Sequence, residues 1–283
     1  MNILMLATIT VGISMQQIMQ KAYNKKCRGA YTFTAISVLC AALFFIIPLL
    51  IGGFHFDSGV ILYSILFAVS YASAMVVLFL AIATGPLSLS SLFSSYSLLI
   101  PTFYGIIFLD EKADFLFAIG MLALLVSLVM TNKEGKGEKK ITPLWLLYVL
   151  LAFVGNGACT VIQKMQQQKF DGGYKNEFMS VALLLVFGVV LILSLVSERK
   201  GICENLKRGW IYGAACGLFN GVVNLLVMLL SARMSISIMF PVISAGGIVL
   251  TFAVSRFVYK ERLSKLQNIG FLLGVIAVII LNI

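Results

Sequence analysis

Residues 108–123, FLDEKADFLFAIGMLA, and residues 258–273, VYKERLSKLQNIGFLL, follow one plan. In each, an apolar stretch ends at a glutamate, a short charged turn follows, and a second apolar run with an early glycine resumes. The glutamates, Glu111 and Glu261, stand 150 positions apart. The same shift carries Leu116 onto Leu266, Ile119 onto Ile269 and Gly120 onto Gly270. Nearer the start of each half the shift is 143: Gly12 falls on Gly155, and Gln20-Lys21 falls on Gln163-Lys164. Weak internal symmetry at this distance is the mark of a chain built from two copies of one unit.

The solvent of that unit follows from composition. Of 283 residues, 60% are hydrophobic and 11% charged, and the mean hydropathy is +1.03. Soluble domains carry roughly 25% charged residues, so most of this surface must face lipid. Apolar stretches recur at about 3–20, 32–53, 59–84, 87–109, 113–131, 143–163, 178–196, 210–231, 236–258 and 266–282. A membrane helix needs about 20 such residues, which predicts ten spans. The runs lack the alternation of a lipid-facing strand, so a β-barrel is excluded. The first run has neither a basic n-region nor a small-residue cleavage site, and reads as a span that stays.

One hydrophilic linker, TNKEGKGEKKITP at 131–143, divides the spans five and five. The expected organisation is a five-helix repeat at 1–132, a basic linker at 133–142 and a second five-helix repeat at 143–283. Five is odd, so the second copy must enter the membrane in the opposite direction. The fold class expected is therefore an all-α integral membrane protein of ten transmembrane helices in two inverted five-helix repeats. This is the architecture of alternating-access transporters, with binding near the midplane between halves.

The passage ERLSKLQNIG (261–270) resembles the glutamate, basic residue, Leu-Ser, Gln and glycine that precede the last helix of each repeat in EamA-type transporters of the drug/metabolite transporter superfamily. SYSLLIPTFYGIIFLDEKADFLFAIG (95–120) is similar to the same passage of a first repeat. The resemblance implies ten spans, a small-molecule substrate, a bacterial plasma membrane and both termini in the cytoplasm. The chain departs from the family pattern at Asp110 and Lys260, where glycine usually precedes the glutamate. It departs again at Ala277, where a glycine is usual and Gly274 comes early.

Charge gives a different orientation. Sixteen of the 21 basic residues fall in the loops after spans one, five, seven and nine. By the positive-inside rule those loops are cytoplasmic and both termini lie outside. The net charge of +10 is then a membrane-surface signature and no sign of nucleic-acid binding.

The chemistry inside the spans is defined first by what is missing. All eleven Asp and Glu residues fall in loops or at helix ends, whereas a midspan charge, costing roughly 2.5–3.5 kcal/mol, persists chiefly for function. Proton coupling through a buried carboxylate is therefore not expected, and facilitated diffusion, exchange or another coupling ion stays open. The single histidine, His55, sits in a loop, and the five cysteines form no CxxC pair, so neither a metal site nor a cofactor is expected. A membrane-embedded enzyme would need a histidine, a carboxylate pair or a nucleophile with its base at depth. A structural protein would not need an inverted repeat.

Amides, hydroxyls and tyrosines are what the spans do contain. Asn156, Thr160 and Gln163 share a face of span six, as Gln16 and Gln20 do in span one and Asn220 and Asn224 in span eight. The expected substrate-binding set is Gln17, Gln20, Tyr71, Tyr96, Asn156, Thr160, Gln163, Asn220 and Asn224, lining a central cavity between the halves. Each amide alone reads equally well as interhelical glue, worth about 0.6 kcal/mol. Such a lining suits a neutral, zwitterionic or anionic metabolite. The alternative cargo is a lipophilic cation held over the tyrosine rings, as in a multidrug exporter. Lys21 and Lys164 end their predicted helices at matched positions and read as snorkelling boundary lysines, or alternatively as gates or anion contacts at opposite mouths. Glycines 209, 213, 217 and 221 step by four along span eight. They predict close helix packing within the bundle, with a homodimer seam as the minor alternative. Pro101, Pro241 and Gly246-Gly247 mark interruptions in spans four and nine.

Overall fold

The computed structural model describes residues 2–27, 29–55, 57–84, 90, 93–94, 96–112, 114–132, 142–199, 201–253 and 264–281. Among these the chain is helical and contains no strand. Ten helices are described: α1 (Asn2–Asn24), α2 (Ala30–Gly52), α3 (Ser58–Thr84), α4 (Leu99–Phe108), α5 (Phe115–Asn132), α6 (Pro143–Lys169), α7 (Lys175–Ser197), α8 (Ile202–Ser231), α9 (Ile236–Ala253) and α10 (Lys265–Leu281). In hydrocarbon every backbone N–H and C=O must be paired within the segment, and a helix does this locally. α1, α2, α3, α6, α7 and α8 contain apolar stretches long enough to cross a membrane, while the apolar parts of α4, α5, α9 and α10 are shorter. Outward-facing Ile51, Val196 and Trp210 are more than half exposed, as lipid-facing side chains would be.

Two compact units form, and neither is a sequence half. The first comprises 1–10, 73–161 and 233–283; the second comprises 11–72 and 162–232. In the first, α5 packs along α10 and α4 against α9. Ser127 Oγ donates to the Gly270 carbonyl at 2.6 Å, and a Cβ on Gly120 would come within 2.8 Å of Leu281. Trp145 is buried with Ala81 and Val149, meets Phe93 edge-on at 6.3 Å, and donates its indole N–H to Ser90 at 3.0 Å.

In the second unit α2 packs against both α7 and α8. The α8 glycines face inward: Cβ atoms on Gly209, Gly213, Gly217 and Gly221 would meet Tyr23, Ile36, Ser37 with Cys40, and Phe44 in turn. The ladder is thus spent on packing within the unit, as its primary reading expected, and no homodimer seam is supported. Tyr23, Cys27, Phe33 and Cys216 form one buried cluster there, and the Tyr23 hydroxyl donates to the Gly29 carbonyl at 2.8 Å.

Glu111, in the turn that opens the sequence argument, does not cap the helix that follows it. The N-terminus of α5 is capped by Asp114, whose Oδ1 accepts the Phe117 N–H at 2.7 Å. Glu111 instead reaches the first turn of α9, accepting from the Ile236 N–H at 3.1 Å, the Ser237 N–H at 2.9 Å and the Ser235 hydroxyl. An anion there also meets the positive end of the helix dipole. Glu261, its counterpart, lies outside the described residues. Partial burial pushes the Glu111 carboxyl up, but the hydrogen bonds from Ser235, Ser237 and Ile236 outweigh it, so its pKa falls below the usual glutamate value. A depressed folded-state pKa gives stability that is complete above the unfolded value of about 4.3 and is lost as pH falls through the folded value. Glu111→Gln should therefore cost about 0.5–2 kcal/mol at pH 7, as loss of a cap does. The variant and parent should converge in unfolding midpoint as pH falls through the depressed folded-state value. A gap that persists at acid pH would mean the carboxylate charge is not what stabilises the turn.

Candidate functional site

Amides far apart in sequence come together in the second unit. Gln163 on α6 donates through Nε2 to Asn224 Oδ1 at 3.0 Å. Asn224 donates through Nδ2 to Asn220 Oδ1, one helical turn earlier on α8, at 3.0 Å. Asn220 donates through Nδ2 to Gln16 Oε1 on α1 at 3.1 Å. The result is a four-amide relay tying three helices together, with every N–H pointing the same way along it. Burial raises its worth: Gln163 is 3% exposed, and polar groups in low dielectric are costly unless paired. The relay has two open ends among the described residues, the Gln16 amino group and the Gln163 carbonyl oxygen. One end can donate and the other can accept.

The other expected residues of this unit are Tyr71, Gln17, Gln20, Lys21 and Lys164. Tyr71 stacks on Phe67 with centroids 5.8 Å apart and planes 11° from parallel, and Phe67 meets Phe178 edge-on at 5.6 Å. Gln17 and Gln20 are exposed, while Lys21 is half-buried. Both helices run past the ends their hydropathy predicts, α1 to Asn24 and α6 to Lys169. Lys164 therefore lies inside α6, 7% exposed, with Nζ donating to the Ser231 carbonyl at 2.5 Å. It is not a snorkelling boundary lysine. An ammonium at the C-terminal end of α8 meets the negative pole of that helix and an otherwise unpaired carbonyl.

The remaining expected residues belong to the first unit. Asn156 donates to Ser94 Oγ at 3.0 Å, Tyr96 donates its hydroxyl to the Leu125 carbonyl at 3.2 Å, and Thr160 bonds back to Gly157 at 2.7 Å. Gln16 lies outside the expected lining, although it shares a face with Gln20. Its role is set by Asn220, 204 residues away, and no local pattern points there.

Every side chain named above as bonding at the expected site positions is a neutral amide or hydroxyl, apart from Lys164. Among the described residues no group of three or more His, Cys, Asp or Glu could hold a metal. Residues 143–283, the length from α6 through α10, match the EamA-like transporter family. This half of the chain is an EamA-like transporter sequence. That family belongs to the drug/metabolite transporter superfamily, and with the long apolar helices it makes the chain a multi-pass membrane protein of a transporter family. No curated protein matches the sequence significantly. A solved structure, titled only as a crystal structure of a protein, is similar with a TM-score of 0.80 at 14% identity, covering 98% of this chain and 94% of that one. At that identity the likeness concerns the fold alone.

Proposed function

We propose that this EamA-like protein is a carrier that moves a small metabolite or drug-like solute by alternating access between two inverted five-helix repeats, 1–132 and 143–283. The basic linker 133–142 joins them. Carriage uses no buried carboxylate for proton coupling. Two features support the repeat. The helix pairs α4 with α9 and α5 with α10 are those an in-plane two-fold would place together, fourth with fourth and fifth with fifth. SYSLLIP (95–101) and SISIMFP (235–241) also share both serines and the proline.

The observation that carries the function is the amide relay Gln163–Asn224–Asn220–Gln16. A relay open to a donor at one end and an acceptor at the other fits a solute that carries both, such as a neutral or zwitterionic metabolite. Tyr71 and Tyr96 add aromatic faces, and Gln17, Gln20, Asn156 and Thr160 add polar contacts. An export role for a lipophilic cation would rest on those rings through cation–π attraction of about 0.5–2 kcal/mol. The membrane proposed is the bacterial plasma membrane.

Uptake of a radiolabelled metabolite panel into proteoliposomes tests the carrier reading. Asn156→Ala and Tyr96→Ala should each lose most of the transport while the protein inserts and purifies as the parent does. Wild-type rates in both would show that these side chains only pack.

A further inference from the structure

A side-chain amide turned over exchanges its donor for its acceptor, so a chain of amides has two possible polarities. In the relay Gln163–Asn224–Asn220–Gln16, two acceptors that cannot donate select one of them. The Asn220 backbone carbonyl takes an Asn224 Nδ2–H at 2.9 Å, alongside Asn220 Oδ1 at 3.0 Å. Turning the Asn224 amide over would press its Oδ1 against that carbonyl. On α7 the Met179 thioether, a weak acceptor, lies 3.9 Å from Gln163 Nε2, the same nitrogen that donates to Asn224. Gln163 therefore keeps Oε1 as its open atom, and Gln16 keeps Nε2. Among the described residues the buried side-chain atoms without a partner are Gln167 Oε1 and Ser180 Oγ, so neither end of the relay is sealed from a solute.

The two ends also stand apart. α1 runs antiparallel to α8, since a Cβ on Gly209 would meet Tyr23 and a Cβ on Gly12 would meet Val223. Gln16, between those two α1 residues, reaches Asn220 from the side nearer the start of α8. Gln163 comes from the other side: Lys164, the next residue of α6, donates to the carbonyl of Ser231, the last residue of α8. One turn of α8 and a hydrogen bond on either side of it separate the open ends by on the order of 10 Å. A compact solute cannot touch both.

We propose that the relay reads an extended solute in one orientation. A neutral N–H or O–H group of the solute donates to Gln163 Oε1, and a carbonyl or carboxylate oxygen at its far end accepts from Gln16 Nε2. This rests on the carrier reading above. The solute's donor is neutral because the Lys164 ammonium belongs to the residue beside Gln163. Glu177, two residues before Met179, falls on the opposite side of α7 and does not offset it.

8-Hydroxyoctanoate and 8-methoxyoctanoate test the polarity, because they share length and carboxylate and differ in the donor. Titrated calorimetrically into full-length protein in lipid nanodiscs, with empty nanodiscs subtracted, the hydroxy acid should bind about fivefold more tightly, the effect of one hydrogen bond. Gln163→Leu should erase that ratio, whereas Gln16→Leu should weaken both probes and leave the ratio standing. The short pair, 3-hydroxypropanoate and 3-methoxypropanoate, should show no such ratio. Equal or absent binding of the long acids overturns the proposal, as does a ratio that survives Gln163→Leu, vanishes in Gln16→Leu or recurs in the short pair. The parent's own ratio decides the case should Gln163→Leu fail to fold. Uptake of 8-hydroxyoctanoate into proteoliposomes, above that of empty liposomes, reads the carrier separately. The expected binding pattern without uptake would keep the orientation and overturn carriage.

Discussion

Gly217→Val should leave little or no folded protein, and Gly217→Ala should already lower the unfolding midpoint sharply. An ideal Cβ at Gly217 would stand 2.3 Å from the Ser37 carbonyl oxygen and 2.7 Å from Cys40 Cβ. The first obstacle is backbone, so no rotamer change on α2 relieves it. Overpacking in a close-fitted interior costs about 1–3 kcal/mol and more when backbone must move. Its ladder neighbours differ, because Gly213 and Gly221 press on the side chains of Ile36 and Phe44, which can give. They should cost less than Gly217 on substitution by alanine. Gly188 on α7 is the control: a Cβ there would meet nothing within 4 Å. Gly188→Ala should be neutral or stabilising by about 0.5–1 kcal/mol, as expected for glycine replaced inside a helix. Monodisperse yield and thermal unfolding in detergent read all of these. If Gly217→Ala unfolds with Gly188→Ala, the α2–α8 contact is not as close as described.

The second large effect should come from Asn224, which joins the α6 end of the relay to its α8 part, accepting from Gln163 and donating to Asn220. It receives the Gln163 amide and passes its own N–H groups to the Asn220 side chain and backbone carbonyl, at 3.0 and 2.9 Å. Asn224→Leu keeps the volume, strands the Gln163 N–H and removes the link to Asn220. Interhelical polar contacts in membranes average about 0.6 kcal/mol and reach about 1.7, so the variant should still insert and purify. Transport should nevertheless fall by at least about tenfold, the effect of losing about 1.4 kcal/mol of solute contact. A wild-type rate in proteoliposomes would leave the relay as helix glue and move the solute site elsewhere. Gln16→Leu offers a graded comparison: it removes the donor end and spares the two internal bonds of the relay.

Several features were legible because they are local. Apolar runs of about 20 residues identify helices wherever the solvent is hydrocarbon, since an unpaired backbone group there costs several kcal/mol. The spacing of the α8 glycines announced a close approach, because four residues are about one helical turn. Helix ends were less legible. α6 runs past its apolar stretch through Lys164, Gln166 and Gln167, all buried. Hydropathy reads those residues as the mouth of a span, but Lys164 donates to the Ser231 carbonyl and Gln166 to the Gly173 carbonyl, both beyond the end of α6.

The sequence by itself determined the solvent, the helical class, the two-copy punctuation at Glu111 and Glu261, and the family resemblance in the passage after it. Only the tertiary structure decided whom each polar group serves. Glu111 caps α9 rather than the helix it precedes, Lys164 closes the end of α8, Glu198 caps α2, and Gln16 completes a relay begun on α6. Helix formation is decided by neighbours within four residues, which a reading of the sequence contains. These pairings span between 67 and 204 residues and depend on which helix surfaces meet, which no local pattern encodes.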